Sequence, residues 1–522
     1  MRVIKTVEGL TCYLVQSRGR QKGSEERPEV GLVPTMGGLH QGHLSLIERA
    51  RQDNDIVVVS IFLNPLQFGP QEDLARYPQN PTHDLRLCEQ AEVNVVFMPT
   101  PQALYGEAKP LVGALTQVVP PRAMMAVLCG PYRPGHFEGV ATVVTKLLSL
   151  VAPDRTYFGY KDAQQLAIIK RLTKDLNLPG QMIGCPTVRE DSGLALSSRN
   201  AYLSEAERHD ATALYRGLRS AQDLFKAGER SGPVLIMAVQ QCLAEVPQIH
   251  AQYVDLVHPD TLLPLETVES TGLLAVAAYL GSTRLIDNIM LRHRQPIIAI
   301  DGPAGAGKST VARQVARRLN LLYLDSGAMY RAITWKALQQ RLDLQDEVVI
   351  AELVQDCDIH LVSSGEDPAF AAYPSRIWLN DQEVTQLIRS LAVTEQVSTI
   401  AAQPRVRQTL LRQQQQYGVA GGVVMEGRDI GTQVFPNAEL KIFLTASVAE
   451  RARRRLQDLQ AQQQPVESLE ELERAIDERD HKDSTRRVAP LRKADDAVEI
   501  NTDGLSVEAV VDKIVALFHE RV

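Results

Sequence analysis

Apolar residues along this chain gather into short blocks, each closed by a turn rich in glycine or proline and followed by a stretch of helical period. In the first part the blocks are Val30–Pro34, Ile56–Leu63, Val93–Met98, a short one ending near Phe158, and Gln181–Pro186. Between them lie a short amphipathic start, a charged loop Arg18–Arg27, a polar helix at roughly 80–91, an apolar helix over Gly139–Leu150, and a helix carrying Gln164 and Gln165. Buried strands alternating with helices predict an α/β fold with a parallel, doubly wound sheet. Residues 204–280 read differently: a helix over Glu205–Ala227, then strands at Tyr253–Val257 and Leu274–Leu280, forming a small α+β lobe. Gly281–Gln295 is short and basic and is expected to be a domain boundary. Strand–turn–helix alternation resumes at Pro296, with strands near Ile297–Ile300, Arg376–Asn380, Gly422–Met425 and Leu440–Leu444. The expected division is 1–283 (1–190 and a small lobe 191–283), a linker at 284–295, and 296–522.

Length agrees with that division. A chain of 522 residues is too long for one core, and at about 150 residues per domain it predicts three or four structural units. Lys and Arg total 56 against 63 Asp and Glu, a net charge of −7, which argues against a dedicated nucleic-acid binder. The six cysteines are scattered, with no C-x-x-C pair. They read as reduced, packed thiols of a cytoplasmic protein, not as a disulfide frame or a zinc site. The N-terminal residues lack the apolar core of a signal peptide, and runs such as Leu273–Leu280 are too short to span a bilayer.

Two turns carry candidate chemistry. Gly302-Pro303-Ala304-Gly305-Ala306-Gly307-Lys308-Ser309 fits G-x-x-x-x-G-K-[ST], between an apolar strand and a helical run from Thr310. Glycines there let backbone N–H groups turn around phosphate oxygens at a helix N-terminus. Lys308 would reach the β- and γ-phosphates and Ser309 would hold Mg²⁺. The earlier turn is Thr35-Met36-Gly37-Gly38-Leu39-His40-Gln41-Gly42-His43, after Val30–Pro34 and before a helix. His40 and His43, three apart, share one face, and both rings can point at phosphates bound there. The bland alternative is a pair of capping histidines on a surface turn.

Further polar groups stand at strand ends, where an open α/β sheet places its ligand crevice. They are Asn64–Phe68, Lys161 with Asp162, and Leu196-Ser197-Ser198-Arg199-Asn200, joined by Arg133 and His136 ahead of the apolar helix. Singly, Arg133 and Lys161 could be solvated charges and Ser197-Ser198 a helix cap. Basic groups repeated at strand ends fit polyphosphate binding better.

In order, PTMGGLHQGH, IFLNPLQF, RPGHF, FGYKDAQQ and LALSSRNAYL, with LIDN at Leu285–Asn288, resemble the pantothenate synthetase (pantoate–β-alanine ligase) family over about 29–290. The resemblance implies a Rossmann-like nucleotidyltransferase domain with a small C-terminal lobe, usually homodimeric. It implies two steps: ATP adenylates (R)-pantoate with release of pyrophosphate, and β-alanine displaces AMP. By the same resemblance Met36, Gly37, Gly38, Leu39, His40, Gln41, Gly42 and His43 line the ATP phosphates, and His43 assists at the α-phosphate. Gly159, Tyr160, Lys161, Asp162 and Val188 contact adenosine. Leu196, Ser197, Ser198 and Arg199, with Lys161, hold the departing pyrophosphate. Gln67 and Gln165 hold pantoate, Gln67 lies near β-alanine, and Arg133 and His136 join that subsite. Tyr160 departs from the family pattern, where Glu or Gln is expected, as does Gln79-Asn80, where Arg-Thr is common.

LDSGAMYR, EGRDIGTQVFP and RDHKDSTRRVAPL resemble cytidylate kinase over about 296–520, the family that phosphorylates CMP and dCMP with ATP. The resemblance implies Gly302, Pro303, Ala304, Gly305, Ala306, Gly307, Lys308, Ser309 and Thr310 around ATP, with Mg²⁺ and no tightly bound organic cofactor. It implies Ser326, Arg331, Ser398, Arg407, Arg428, Asp429, Asp483 and Arg486 around CMP. Asp429 and Asp483 would take the ribose; Arg331, Arg407 and Arg428 would clamp the acceptor phosphate, with Arg486 bridging from the lid. An enlarged nucleotide-binding insert is expected near 350–400 and a lid near 451–490, with Gln460–Gln464 a variable surface loop.

Three other readings are weaker. An aminoacyl-tRNA synthetase-like enzyme predicts a basic RNA-binding domain, which the charge pattern lacks. A non-enzymatic scaffold predicts missing catalytic residues, yet His43, Lys161, Lys308 and Arg486 are present. A P-loop GTPase would need N-K-x-D, which is absent. With two independent sites, Lys308→Ala lowers CMP phosphorylation by about 10²-fold or more, as loss of one transition-state donor does. Pantothenate formation measured on the same preparation stays at the wild-type rate; a matching fall in both would show that the sites are coupled.

Overall fold

The computed structural model describes residues 1–19, 27–69, 72–106, 115–363, 375–461, 468–485 and 489–521. The chain divides into two compact units, Met1–His293 and Arg294–Val522. Among the described residues no helix is long and apolar enough to cross a membrane.

The first unit is built on six strands: β1 (Arg2–Ile4), β2 (Val30–Thr35), β3 (Ile56–Ile61), β4 (Val95–Phe97), β5 (Arg155–Gly159) and β6 (Gln181–Cys185). They run parallel in the order β1-β4-β3-β2-β5-β6. β2 and β3 are near-continuous apolar runs because helices cover both faces. Leu32, Val58 and Val95 pack against Val140, Val144 and Leu148 of helix His136–Val151 on one face. Val33, Val57 and Val96 pack against Leu46, Ile47 and Ala50 of helix Gln41–Asp53 on the other. The chain moves outward from β2 through β3 to β4, then crosses to β5 on the opposite side of β2. That reversal makes the carboxyl ends of β2 and β5 the switch point where an open α/β sheet leaves a crevice. Arg18, expected in a charged loop, sits instead in helix Val7–Gly19 and donates to the carbonyls of Val151 and Ala152 at 2.7 and 2.8 Å; residues 20–26 lie outside the described residues.

The small lobe is an antiparallel sheet of β7 (Ile249–Val257), β8 (Thr271–Leu280) and β9 (Thr283–Arg292), in that order. One face packs on helices Glu205–Lys226 and Gly232–Ala244. The other meets Ala167 and Ile168 of helix Ala163–Asp175 through Leu273, Ala275, Ile286 and Met290. Here the structure corrects the linker at 284–295: Thr283–Arg292 pairs with β8 along its whole length. Its flanking arginines hide a period-2 pattern in which Leu285, Asp287 and Leu291 are buried.

The second unit carries β10 (Ile297–Asp301), β11 (Leu322–Asp325), a small antiparallel trio β12 (Ile359–Ser363), β13 (Ser375–Leu379) and β14 (Gln382–Glu383), then β15 (Val423–Gly427), β16 (Leu440–Thr445) and β17 (Val498–Asn501). The main sheet is parallel, in the order β11-β15-β10-β16-β17. β10 is central and wholly buried, so the loop after it opens between two neighbouring strand ends. Helices Val448–Ala461 and Leu469–Thr485 pack on each other through Ala452, Leu459 and Leu472. The charged run Glu478–Thr485 is therefore helical, and Gln460, expected in a surface loop, lies in the last turn of helix Val448–Ala461; residues 462–467 lie outside the described residues.

If β9 is an integral strand, Leu291→Ala, at 1% exposure, destabilises the first unit by about 2–5 kcal/mol, as large-to-small core substitutions do. Urea unfolding of the full chain reads this directly; an unchanged midpoint would return the segment to linker status.

Candidate active sites

A cavity of about 710 Å³ opens at the carboxyl ends of β2 and β5. Of the residues singled out in the first unit, Met36, His40, Gly42, His43, Gln67, Arg133, His136, Gly159, Lys161, Asp162, Gln165, Val188, Leu196, Ser197, Ser198 and Arg199 line it. Gly37, Gly38, Leu39, Gln41 and Tyr160 do not. Leu39 is buried in the core beneath, and Gln41 is exposed at the start of the helix. The amides of Gly38 and Leu39 donate to the buried Asp84 carboxylate at 2.9 and 2.8 Å. Those two N–H groups are therefore occupied by a protein carboxylate and are not turned to phosphate. Tyr160 packs beside Gly184 of β6, with Lys170 6.0 Å from its ring centroid.

His40 is the N-cap of helix Gln41–Asp53, and His43 sits at its third position. The Gly42 amide donates to His40 Nδ1 at 3.1 Å, and the His40 amide donates to His43 Nδ1 at 3.3 Å. The capping role and the cavity role thus coexist. With Nδ1 accepting, each neutral ring carries its hydrogen on Nε2. Burial, then Lys161, pushes His40 down to about 4. Burial, then His40 and Lys161, pushes His43 down to about 3. At neutral pH this pair offers hydrogen-bond donors without charge.

The cations around the cavity differ in how they are held. Arg199 makes a bidentate pair with Asp73, at 2.8 and 2.9 Å. Arg133 pairs with Glu72 at 2.8 and 2.6 Å and lies 2.9 Å from Nε2 of His136. His136 Nδ1 donates to the Gln67 carbonyl at 2.8 Å, so its Nε2 accepts from Arg133; burial, then Arg133, pushes it down to about 3. Lys161 makes no ion pair among the described residues. Asp73, Glu72 and Asp84 escaped the sequence reading because no spacing ties a carboxylate to an arginine or a turn so far away in the chain. Gln164 and Gln165 separate cleanly: Gln165 lines the cavity, whereas buried Gln164 bonds to Met124, Val127 and Cys129 backbone groups. Tyr279, Thr283, Arg284 and Ile286 of the small lobe supply a further wall; the linker assignment hid Arg284 and Ile286 from the sequence.

In the second unit the phosphate loop spans from β10 to helix Lys308–Leu319. Gly302 has φ +148°, and a Cβ there would lie 2.1 Å from the Leu444 carbonyl oxygen, so no other residue fits. Gly307 caps the helix at φ +84°. Lys308 is buried, donates to the Pro303 carbonyl at 2.7 Å, and has its pKa lowered by burial and then by Arg428. Ala306 is buried, Ser309 and Thr310 are exposed, and the Ala304 carbonyl accepts from Arg451 at 3.1 Å. Ser309 also bonds to buried Glu426.

Around the mouth of this loop the arginines are paired in advance: Arg331 with Asp325 at 2.5 Å, Arg407 with Asp429, and Arg428 with Asp483 at 2.9 Å. Ser326 donates to the Glu426 carbonyl at 2.7 Å. Ser398 is exposed on helix Leu391–Ala402, and no hydrogen bond of this cluster involves it. Arg486 lies outside the described residues. Arg479, which the sequence reading treated only as part of a charged run, is exposed on helix Leu469–Thr485 and lies within electrostatic reach of Arg428, Asp483, Arg331 and Arg455. Arginines gathered at the mouth of one phosphate loop suit an anionic ligand. Among the described residues no three His, Cys, Asp or Glu side chains are placed to hold a metal ion. The Ser309 hydroxyl with the Glu426 carboxylate is a hard-oxygen set that fits Mg²⁺ carried on phosphates.

Comparison with known proteins covers both units. The family model for pantoate-beta-alanine ligase matches residues 2–290, and that for cytidylate kinase matches 298–520. The chain is 58% identical to a bifunctional pantoate ligase/cytidylate kinase of Trichormus variabilis, over 100% of this chain and 99% of that one. It is 52% identical to the protein of the same name from Acaryochloris marina, over 99% and 98%. Among solved structures, the pantothenate synthetase of Thermus thermophilus is 43% identical with a TM-score of 0.51, covering 56% of this chain and 100% of its own.

The three depressed histidines set a stability prediction. Their unfolded pKa is near 6.5 and their folded values are about 4, 3 and 3 for His40, His43 and His136. As pH falls from about 6.5, the unfolded chain takes up protons that the folded chain refuses, so stability falls progressively. The difference in urea midpoint between wild type and His136→Gln therefore shrinks between pH 7 and pH 4.5; a constant difference would mean His136 titrates normally.

Proposed function

The chain belongs to the pantoate–β-alanine ligase family through its first unit and to the cytidylate kinase family through its second, and we propose that each unit performs its own ATP-dependent reaction with the residues described above. The observation that carries the ligase half is the pair of uncharged Nε2–H donors, His40 and His43, facing one cavity with Lys161 at the switch point.

In the first unit, Gln67 and Gln165 hold pantoate while its carboxylate oxygen bonds to the α-phosphorus of ATP. The bond from that phosphorus to the bridging oxygen breaks, and negative charge grows on the departing pyrophosphate. His40 and His43 donate from Nε2; with that nitrogen protonated they act as donors, not bases. Lys161 supplies the cationic charge, and Arg199, already oriented by Asp73, extends the pyrophosphate subsite with Ser197 and Ser198. Donors fixed in place before charge develops cost no reorganisation at the reacting step. The amine of β-alanine then attacks the acyl carbon, and the bond to AMP breaks. The small-lobe wall at Tyr279–Ile286 helps keep water from the acyl adenylate.

In the second unit, Lys308 reaches the β- and γ-phosphates of ATP. Arg331, Arg407 and Arg428 exchange protein carboxylates for the acceptor phosphate of CMP, freeing Asp429 and Asp483 for the ribose, and Arg479 adds positive charge beside them. Ser309 and Glu426 would hold Mg²⁺ brought by ATP, which supplies neutralisation of phosphate charge. Six free cysteines support a reducing, cytoplasmic setting, and the family resemblance supports a homodimer through the first unit.

His43→Ala lowers the adenylation rate by about 10²–10³-fold, as loss of an oxyanion donor does, with the KM for pantoate nearly unchanged. Product analysis on one preparation checks it: pantoate with β-alanine should yield little AMP, while CMP still yields CDP at the wild-type rate. Equal loss of both products would overturn the separate-site reading.

A further inference from the structure

Two consecutive residues of β9 reach from the small lobe to both loops that carry the ligase's phosphate-facing groups. The Asn288 side-chain amide donates one hydrogen to the Tyr160 carbonyl at 3.0 Å and the other to the Lys161 carbonyl at 2.9 Å. Asp287, 4% exposed, takes Arg189 in a bidentate pair at 2.6 and 2.9 Å. Arg189 also donates to the Gly193 carbonyl at 3.1 Å, and its guanidinium lies 3.9 Å from the Tyr215 ring centroid. Its hairpin closes where the Leu196 amide meets the Val188 carbonyl at 3.0 Å, and then runs directly into Leu196–Arg199. The Asn288 backbone N–H donates to Asp287 Oδ1 at 2.8 Å, which locks the two side chains together.

We propose that Asn288 and Asp287 are positioning residues for adenylation: Asn288 sets the backbone that aims Lys161, and Asp287 sets the hairpin that presents Ser197, Ser198 and Arg199. This rests on the reading of Lys161 as a cation at the departing pyrophosphate. Lys161 has no ion pair among the described residues to orient its ammonium, so its aim depends on where its backbone is held. A primary amide is the one neutral side chain with two hydrogens on one nitrogen, which two neighbouring carbonyls require. A carboxylate at this position would face both carbonyl oxygens with no hydrogen to give. The small lobe thereby acts on the chemistry without touching the reacting atoms: its docking and the placement of the catalytic cation are one event.

The test measures pantoate-dependent ATP–pyrophosphate exchange on the full chain for Asn288→Ala, Asn288→Asp, Lys161→Ala, and Asn288→Ala combined with Lys161→Ala. Melting curves and CMP phosphorylation are followed alongside. Misplacing a reacting group by about 1 Å costs on the order of 10²-fold, so Asn288→Ala should lower kcat by about 10–100-fold with the KM for pantoate held. Asn288→Asp should be at least as slow. In the Lys161→Ala background, Asn288→Ala should add less than about threefold, because residues acting through one another are not additive. Losses that multiply, as general damage to the unit would give, overturn the proposal; so does an Asn288→Ala or Asn288→Asp enzyme within about threefold of wild type. A fully active Lys161→Ala overturns it through its premise and identifies the Lys161 assignment as the failure.

Discussion

Positive charge gathered for phosphate must be held in partly buried space, and most of the arginines at both sites meet that constraint by pairing with protein carboxylates. A buried charge with no partner costs several kcal/mol, and removing one member of a buried pair costs about 3–5. The fold meets this constraint with internal carboxylates. Asp73 and Glu72 hold Arg199 and Arg133 in the first unit; Asp325, Asp429 and Asp483 hold Arg331, Arg407 and Arg428 in the second. The pairs keep the guanidiniums aimed, and a phosphate can replace a carboxylate with little change in hydrogen-bond geometry. The short helical turn Asp73–Arg76 and helix Leu469–Thr485 deliver Asp73 and Asp483 among these acids.

The two units solve the phosphate problem with different chemistry. In the first, the helix N-terminus is already capped by histidine Nδ1 atoms, and two of the preceding amides are claimed by Asp84. What faces the cavity is a pair of neutral imidazole donors together with Lys161 and the carboxylate-held Arg133 and Arg199. That arrangement suits a step in which charge moves from one oxygen to another. In the second, the loop glycines and buried Lys308 sit at a helix N-terminus beneath a cluster of arginines. There two highly charged phosphates must be brought together, and a cluster of full cationic charges, most of them held by carboxylates until phosphate arrives, suits that task.

The small lobe of the first unit is tied into its site by polar contacts, as well as by the apolar packing of Leu273, Ala275 and Ile286 on the helix after β5. Asp287 is buried and Asn288 half-buried on a strand whose core positions are Thr283, Leu285 and Leu291.

Local chemistry was legible in the sequence. The two strand–turn–helix junctions, the apolar blocks and the ordered motifs gave the doubly wound architecture, both enzyme families and most of the cavity lining, because each depends on neighbours within a few residues. Strand β9 was not legible: flanking arginines masked a period-2 pattern that shows its meaning only opposite β8. Nor were Asp73, Asp84, Glu426 and Arg479, whose roles come from partners dozens to hundreds of residues away. The motif around Met36–His43 predicted a run of residues lining the phosphates, and the tertiary structure turns the amides of Gly38 and Leu39 to Asp84. A sequence sets which groups are available and what each can donate or accept. Which ones are left facing the ligand is decided only when folding has satisfied the rest, since every buried donor and charge must first find a partner.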